Sequence, residues 1–396
     1  MASLAPWRYS LRLVTPRRYQ LRKDAAAIVR GGHPWLFRDQ MSSAAGAFRD
    51  GAWLRLVDGD NHVVGYGMYE AEGAIAIRVL RVGDAPPDAA WLRERLAAAA
   101  ARRAELVRTT DGVRLVHGES DGIPAVVADR FGDTLVVSSY AAGADALARY
   151  VAHAAHQPNV VLRPARRRHS APPPPRVVRG APPEVAHFSE DGTRYAVDLA
   201  AGHKTGTYLD LRGLRRAIAG APLAGARVLN LFAYTGMLGR AAEAAGAAHV
   251  VQVDASERAL AFAAAHHVID PARHRFVTAD VFAWLPQLDR AETFDLVIAD
   301  PPAMTSRRTQ VGHALAAYRR LYRAAAEHVR PGGALVAACC TSRIERAVFR
   351  RTVQDALGNR FALAQELPPE PDHPVGFPQA DYLKILWWRC TRAAQS

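Results

Sequence analysis

Residues 226–236 read ARVLNLFAYTG, a short apolar run that opens into a turn of small residues. A helix-like stretch follows, and a second apolar run, residues 250–253, ends on Asp254. An acid roughly twenty residues past such a turn is the arrangement that holds a nucleoside ribose in doubly wound parallel sheets. The segment therefore predicts a strand–turn–helix–strand unit of an α/β sheet, with a nucleoside site at its edge.

The turn itself limits which nucleoside can bind. A dinucleotide needs three glycines so that its pyrophosphate can approach the backbone, whereas residues 232–236 contain one, Gly236. S-adenosylmethionine (SAM) carries adenosine, ribose and a methionine tail but no phosphate, so a single glycine suffices for it. The turn thus predicts SAM as the cofactor, and an ordinary nucleotide-like fold is the plain alternative.

Three further apolar runs end in residues that can bind or react. Residues 274–279 lead to Asp280, residues 294–299 lead to Asp300-Pro301-Pro302, and residues 334–338 lead to Cys339-Cys340. In an open α/β sheet, ligands bind outside the carboxyl ends of the strands. Acids also suit ordinary turns, but three acids, a Pro-Pro pair and a thiol at successive strand ends favour one functional edge.

Length and composition set the broad class. At 396 residues, 49% of them hydrophobic, the chain is expected to form two or three packed domains. Its formal charge of +13 comes almost entirely from arginine and favours a polyanionic partner such as nucleic acid. An arginine bias from a GC-rich genome would produce the same charge without such a partner.

The cysteines and histidines argue against disulfides and metal sites. Three cysteines, two of them adjacent, cannot form a disulfide framework and fit a reducing, cytoplasmic setting. No zinc-ligand spacing occurs, so no metal is expected, and His266-His267 is expected on the surface of an alanine-rich helix. The absence of an 18-residue apolar run predicts no membrane span. The arginine-rich, acid-free first twenty residues favour a bacterial N-terminal extension over a transit peptide.

The chain divides by pattern into three parts. Residues 17–85 contain short apolar runs at regular spacing, which predicts a small β-barrel. Residues 86–200 combine an alanine-rich helix with further strands, and residues 201–396 contain the nucleoside unit. A basic, proline-rich insert at residues 163–183 is expected to be an exposed loop.

A series of motifs occurs in order along the chain. The motifs are GHPWLF at 32–37, GESDGIP at 118–124, GHKTG at 202–206, NLFAYTG at 230–236, DPP at 300–302 and DHPV at 372–375. In this order, from about residue 17 to 390, they resemble the bacterial 23S rRNA cytosine-5 methyltransferase family. The resemblance implies an α/β protein: a PUA-like RNA-binding β-barrel, a central α+β domain and a Rossmann-like class I methyltransferase domain. His203 departs from the family's usual glutamine, and Cys339-Cys340-Thr341 stands where Ser-Cys-Ser is typical.

Methylation of cytosine at carbon-5 requires a cysteine, because that carbon is a poor nucleophile until a thiolate adds to carbon-6. Cys340 is the candidate nucleophile, since the resemblance selects it and strand alternation points Cys339 to the opposite face. Residues 342–345 (SRIE) predict a capping box. The N-terminus of that helix, with Arg343 close by, is expected to lower the pKa of the thiol.

The other site residues divide into a cofactor side and a substrate side. Asp254 is expected to hold the ribose hydroxyls and Asp280 the adenine amine. The remaining expected cofactor contacts are Asn230, Phe232, Tyr234, Thr235, Gly236 and Arg212. For Arg212, a contact with the SAM carboxylate and a structural ion pair are both open.

On the substrate side, Asp300 is expected to hydrogen-bond the base near nitrogen-3. Pro301-Pro302 would stiffen the loop, and Lys204 and Tyr318 are the other expected substrate contacts. The base that removes the carbon-5 proton is not identified, with Tyr318 and Asp300 as candidates.

The leading hypothesis is an enzyme that forms 5-methylcytidine in large-subunit rRNA with SAM as cofactor. A related methyltransferase with another nucleotide or a small-molecule acceptor is one alternative, and a non-catalytic RNA-binding or assembly factor that keeps SAM as a ligand is another. The expected partner is RNA, with neither membrane nor metal. A homodimer is possible, and the exact target nucleotide is left open.

Overall fold

The computed structural model describes residues 15–42, 48–165, 173–200, 205–305 and 307–391. The chain forms two compact units. The first comprises Met1–Gly192, Val197–Gly206 and Pro371–Phe377, and the second comprises Thr193–Ala196, Thr207–Glu370 and Pro378–Ser396. Among the described residues, no helix has both the length and the apolar character needed to cross a bilayer.

The first unit begins with a small β structure. Its elements are β1 (Arg17–Gln20), α1 (Lys23–Arg30), β2 (Trp35–Phe37), β3 (Trp53–Val57), β4 (Val63–Tyr69) and β5 (Ile75–Val82). The strands form one sheet in the order β1-β3-β4-β5-β2, in which only the β1–β3 pairing is parallel. Leu54, Leu56 and Ile77 point into a shared core with α1.

The rest of the first unit is mixed α and β structure. Its elements are α2 (Ala89–Arg102), β6 (Gly112–His117), β7 (Val126–Phe131), β8 (Thr134–Ser139), α3 (Asp145–Ala154), β9 (Asn159–Arg163), β10 (Arg176–Arg179), β11 (Val185–Glu190) and β12 (Thr193–Asp198), of which residues 193–196 are counted in the second unit. Strands β6 to β10 form one sheet, and β11 pairs with β12. The proline-rich insert is therefore not a loop throughout, because its residues 176–179 pair with β9 as an edge strand. Its residues 166–172 lie outside the described ranges.

The second unit is an open α/β sheet. Its helices are α4 (Arg212–Ala219), α5 (Met237–Ala244), α6 (Glu257–His266), α7 (Val281–Trp284), α8 (Val311–Glu327) and α9 (Arg346–Leu357). Its strands are β13 (Arg227–Leu231), β14 (His249–Asp254), β15 (His274–Thr278), β16 (Phe294–Ala299), β17 (Val329–Cys339), β18 (Phe361–Leu367) and β19 (Lys384–Cys390). Their order is β15-β14-β13-β16-β17-β19-β18, and β19 runs antiparallel to both of its neighbours. The expected α/β class with a Rossmann-like C-terminal domain is confirmed.

Both faces of this sheet are buried, which explains the nearly continuous apolar runs in the sequence. Leu229 and Leu231 of β13 point into one core, with α8 and α9, while Val228 points into the other, with α4 and α5. Strand order reverses between β13 and β16, because β14 and β15 lie on one side and β16 and β17 on the other. A reversal of this kind opens a crevice at the carboxyl ends of the strands, where ligands bind.

Gly236 fixes how closely α5 and α6 approach the turn after β13. Its φ is +76°, and a Cβ atom would lie 2.7 Å from the Cβ of Ala263. We expect Gly236→Ala to lower the free energy of unfolding by about 2–4 kcal/mol, from left-handed strain and overpacking together. Urea unfolding of the purified protein measures this effect.

Gly225→Ala is the matched control, since Gly225 has a φ of +74° and nothing within 4 Å of its added Cβ. Gly225→Ala introduces the left-handed backbone strain without a steric clash, and it is expected to lower the free energy of unfolding by about 1 kcal/mol. Equal losses in the two variants would show that packing against Ala263 contributes nothing.

Candidate active site

Five segments that the sequence singled out lie at one edge of the parallel sheet. The turn at 232–236 follows β13, and Asp254 is the last residue of β14. Asp280, Asp300 and Cys340 follow β15, β16 and β17, respectively. Since these five strands are consecutive and mutually parallel, their carboxyl ends emerge side by side.

The turn after β13 has a strained backbone. Phe232 and Tyr234 both adopt left-handed conformations, with φ values of +60° and +48°. Such a conformation costs a non-glycine residue about 1–3 kcal/mol and is found mainly where function requires it. The backbone N–H of Tyr234 donates to Asp254 Oδ2 at 2.8 Å, and that of Ala233 donates to the carbonyl of Val253 at 3.0 Å. The neighbouring strand β14 therefore holds the turn in this shape.

Asp254 organises the loops around the expected ribose position. Besides the Tyr234 amide, its carboxylate accepts the backbone N–H of Ser256 on Oδ1 at 2.8 Å. A carboxylate oxygen has two lone pairs, so each oxygen can still accept a second hydrogen bond, such as one from a ribose hydroxyl. Asp280 is exposed and caps α7, accepting the backbone N–H of Phe282 at 2.8 Å.

Asn230 does not line this edge, which corrects its expected role as a cofactor contact. Its side chain is fully buried inside the sheet, where Nδ2 donates to Gln252 Oε1 at 3.3 Å. Gln252 in turn hydrogen-bonds His274 Nδ1 at 3.1 Å. Asn230 shares a strand face with Val228, under α4 and α5, so it stabilises the sheet below the turn instead of facing a ligand.

His267 is the second correction, because the histidine pair was expected on a helix surface. His266 is exposed, but His267 is fully buried. Its Nδ1 lies 2.5 Å from the carbonyl oxygen of Thr235, and its Nε2 accepts the backbone N–H of Ala196 at 2.9 Å. Burial lowers the pKa of His267 to about 4, so the imidazole stays neutral and supports the turn through Thr235.

Cys340 follows β17, at the opposite end of the five parallel strands from Asp280. Strand β17 ends at Cys339, whose side chain is fully buried in the core, whereas Cys340 is partly exposed. The thiol of Cys340 donates to the carbonyl oxygen of Pro301 at 3.8 Å. This contact places the thiol directly beside the Asp300-Pro301-Pro302 loop, in which Asp300 is half-buried and Pro302 is exposed.

Thr341 holds these two loops together, a role that no sequence motif indicated. Its buried hydroxyl accepts the backbone N–H of Met304 at 3.2 Å and hydrogen-bonds the hydroxyl of Tyr318 at 2.9 Å. Its carbonyl accepts from the ammonium group of Lys384 at 3.1 Å. The serine-to-threonine departure at this position retains the hydroxyl on which these contacts depend.

Tyr318 was expected to contact the substrate, but the structure places it elsewhere. Its side chain is fully buried in the core behind Thr341. Burial, with the nearby Cys339 adding to it, raises the pKa of Tyr318 well above its usual range. A neutral phenol enclosed by α9 and β17 supports the Cys340 loop but cannot take a proton from a bound base.

The expected capping box after Cys340 is wrong. Helix α9 begins at Arg346, and Glu345 is its N-cap without a side-chain hydrogen bond. Residues 342–345 form a turn instead, because Ile344 is drawn into the core and Glu345 is extended, with φ −67° and ψ 150°. Helix α9 therefore begins later in the chain than the motif predicts.

A buried lysine, Lys384, holds the segment that follows Cys340. Its ammonium group is buried, and it donates to the carbonyl oxygens of Thr341 and Tyr382 at 3.1 and 3.2 Å. Burial lowers the pKa of Lys384, and electrostatic interactions with Cys339 and Asp381 partly oppose this effect.

Tyr208 is a site residue that the sequence did not reveal. Its ring meets that of Tyr234 edge-on, with 5.4 Å between centroids. Burial raises the pKa of Tyr208, and the charges of Tyr234, Asp300, Asp210 and Cys340 add to this effect. A neutral phenol therefore lies against the turn after β13, within electrostatic reach of Asp300. No motif signalled it, since Tyr208 lies outside the strand ends.

Arg212 and Lys204 are the two remaining residues that were expected to contact the cofactor or the substrate. Arg212 is fully buried and forms an ion pair with Glu370 at 3.0 Å, as the structural alternative predicts, and its contact with SAM stays a prediction. Lys204 lies outside the described residues.

Comparisons with known proteins agree with this architecture. A family model described as S-adenosylmethionine-dependent methyltransferase matches residues 139–389, and a model of a PUA-like domain matches residues 20–81. A Deinococcus radiodurans protein named ribosomal RNA large subunit methyltransferase is 33% identical over 93% of this chain and 96% of its own length. A Shewanella amazonensis protein named ribosomal RNA large subunit methyltransferase I is 33% identical over 89% of this chain and 94% of its own length.

Solved structures share the fold over nearly the whole chain. The crystal structure of a methyltransferase complexed with SAH superposes with a TM-score of 0.81 at 21% identity, covering 94% of this chain and all of that one. A SAM-dependent methyltransferase from Streptococcus mutans gives a TM-score of 0.80 at the same identity and coverage.

The buried imidazole makes stability depend on pH. Since the pKa of His267 is about 4 when folded and about 6.5 when unfolded, the unfolded chain binds the extra proton between those values. The contribution of His267 is complete above pH 6.5 and is lost as pH falls toward 4, by roughly 2–4 kcal/mol. Urea unfolding of wild type and His267→Asn across this range measures it.

We expect His267→Asn to be less stable at neutral pH and to lose part of the acid sensitivity. His266→Asn is the matched control, because His266 is exposed and should leave the profile unchanged. Identical pH profiles for wild type and His267→Asn would contradict a neutral, buried His267.

Proposed function

The chain belongs to the S-adenosylmethionine-dependent methyltransferase family, and we propose that it methylates carbon-5 of a cytosine in large-subunit ribosomal RNA. The observation that carries this proposal is the partly exposed Cys340 thiol at the carboxyl edge of the sheet. This thiol donates a hydrogen bond to the carbonyl oxygen of Pro301 in the Asp300-Pro301-Pro302 loop. The names of the Deinococcus and Shewanella relatives support rRNA as the substrate. The PUA-like match and the formal charge of +13 support RNA binding.

The residues at the carboxyl edges of β13 and β14 fit SAM. The turn at 232–236 holds one glycine and keeps Phe232 and Tyr234 in left-handed conformations, a kind of strain that clusters at ligand sites. Asp254 ends β14 with lone pairs available for ribose hydroxyls, and exposed Asp280 stands beside Phe282, whose ring packs on Phe232 with 5.7 Å between centroids. We assign the ribose to Asp254 and the adenine side to Asp280.

In the proposed reaction, the Cys340 thiolate forms a bond to carbon-6 of the cytosine, and the displaced electron pair makes carbon-5 nucleophilic. SAM, when bound, supplies the electrophilic methyl group that carbon-5 accepts. Loss of the carbon-5 proton then restores the ring double bond as the carbon–sulfur bond breaks and Cys340 leaves as a thiolate. With Tyr318 buried and its pKa raised, Asp300 is the remaining candidate for the proton acceptor.

Neighbouring groups adapt the site to this chemistry. Lys384 holds the carbonyl of Thr341, the residue after Cys340, and Asp300 can hydrogen-bond the base as charge develops on it. The neutral Tyr208 phenol can donate a hydrogen bond without adding negative charge beside Asp300. Thr341 keeps the Cys340 and Asp300 loops at a fixed separation through its contacts with Met304 and Lys384.

Mapping 5-methylcytidine in large-subunit rRNA from cells with and without the gene tests the proposal. We expect one or more cytosines to be unmodified in cells that lack the gene. The modification should return when the wild-type gene is restored, but not when a gene encoding Cys340→Ala is supplied. An unchanged 5-methylcytidine map would reject the proposal. A different methylated nucleotide would indicate a relative with another acceptor, and no lost methylation at all would favour a non-catalytic factor.

Asp254→Ala tests the cofactor side. We expect SAM binding to weaken by about 1–3 kcal/mol, because buried ribose hydroxyls would lose their acceptor. Isothermal titration calorimetry measures the affinity. Asp289→Ala is the matched control, since Asp289 also caps a turn, accepting from Ala291 at 2.9 Å, but precedes β16 at the opposite edge of the sheet. Equal SAM affinity in wild type and Asp254→Ala would remove Asp254 from the site.

Cys340→Ala tests the nucleophile. We expect methyl transfer to fall by several powers of ten, each corresponding to about 1.4 kcal/mol of barrier, while SAM affinity is unchanged. Cys339→Ala provides the comparison, because its side chain lies in the core and should affect stability more than rate. Single-turnover methylation of protein-free rRNA gives both rates. Full activity of Cys340→Ala would refute the thiol mechanism.

A further inference from the structure

A groove runs between α8 and the segment at residues 285–290, and none of its lining residues belongs to the candidate active site. It encloses a cavity of about 460 Å³ lined by the arginines Arg290, Arg319, Arg320 and Arg323 and by apolar side chains that include Leu285 and Leu288. We call this the α8 groove. All of its lining residues belong to the second unit.

The charges in the α8 groove are only partly compensated. Arg290 pairs with Glu327 at 3.3 Å. Within the described parts of the chain, the structure records no ion pair for Arg319, Arg320 or Arg323. Arg319 and Arg323 are four residues apart on one helix, a like-charge spacing that costs an isolated helix a few tenths of a kcal/mol. The arrangement is thus slightly unfavourable unless an anion binds there.

The spacing of these arginines suits a chain of phosphates better than a single one. Arg319 and Arg323 are one helical turn apart, about 6 Å along the axis of α8. The groove includes the C-terminal end of α8, whose dipole opposes a compact anion. Guanidinium groups distributed along the helix can each bind a phosphate through two parallel hydrogen bonds, and the apolar floor can contact riboses.

The α8 groove lies at the edge of the sheet opposite to Cys340. Its residues 285–290 precede β16 and His328 directly precedes β17, whereas Asp300 and Cys340 follow the carboxyl ends of those strands. At about 3.3 Å per residue, the length of β16 separates the two edges by roughly 20 Å. A nucleic acid in the groove would therefore be several nucleotides from the base that reacts.

We propose that the α8 groove binds the phosphate backbone of the RNA substrate outside the target nucleotide. This proposal rests on the proposed function, since the RNA is the same molecule that is methylated. The groove fixes the position of the RNA without reading its sequence, because phosphate contacts carry no base information.

The test compares two double variants that each remove two positive charges. Arg320→Gln with Arg323→Gln changes two exposed arginines of the groove, and Arg351→Gln with Arg389→Gln changes two exposed arginines of α9 and β19. Filter binding of protein-free large-subunit rRNA over a salt series gives the affinity and its salt dependence. Calorimetry with SAM confirms that each variant is folded and retains the cofactor site.

We expect the groove variant to bind rRNA roughly ten- to a hundredfold more weakly near 0.1 M salt, with a slope against log salt reduced by nearly two. The control variant should match wild type, and both should bind SAM normally. Equal losses in both variants, or no loss in the groove variant, would overturn the proposal.

The 5-methylcytidine readout separates failure of the groove from failure of the proposed function. Wild-type protein that methylates rRNA while the groove variant binds it unchanged would refute the groove alone. Wild-type protein that loses rRNA affinity through the groove mutations but forms no 5-methylcytidine would refute the proposed reaction and leave the groove in place.

Discussion

The candidate site depends on the parallel pairing of five consecutive strands in the second unit. Leu231 of β13 lies beside Val253 of β14 on one side and Ala299 of β16 on the other, and Ala299 lies beside Ala337 of β17. This register brings the turn at 232–236, the Asp300 loop and Cys340 to a common edge, although about a hundred residues separate the first from the last in sequence. Parallel strands can converge in this way only because helices cover both faces of the sheet.

At that edge, buried polar groups that remain neutral hold the loops in place. His267 fixes the carbonyl of Thr235, and Tyr318 fixes the hydroxyl of Thr341. Burying a charge without a partner is expensive, which is why the pKa of His267 is lowered and that of Tyr318 is raised. Lys384 differs, because the carbonyls of Thr341 and Tyr382 and the nearby acidic groups offset the cost of its burial.

The sequence was most informative where a residue's place followed from its strand. Asp254, Asp300 and Cys340 could be placed at the sheet edge because apolar runs show where strands end, and the resemblance identified the reacting thiol. The burial of Cys339 followed from strand alternation once the resemblance had selected Cys340. His267 carried a detectable signal too, since Ala259, Ala263 and His267 recur at the helical spacing of one buried face.

Other features depended on tertiary contacts that spacing does not encode. Asn230 lies in the motif, but its strand face points under α4 and α5 instead of toward the edge. Arg212 and Glu370 are far apart in sequence, so their ion pair could be considered only as an alternative. The expected capping box does not form because Ile344 is buried in the core, and α9 begins only at Arg346. Tyr208 and Thr341 belong to no chemical motif, and only the packed structure shows what they contact.

The most direct test of the central claim, that Cys340 attacks the target base, is covalent trapping. Wild-type protein with SAM is incubated with large-subunit rRNA transcribed with 5-fluorocytidine, in which fluorine replaces the hydrogen that must leave as a proton. Peptide mass spectrometry then locates the residue bonded to RNA. A stable adduct on Cys340 is the predicted result. An adduct on Cys339, or none under conditions in which unmodified rRNA is methylated, would contradict the mechanism.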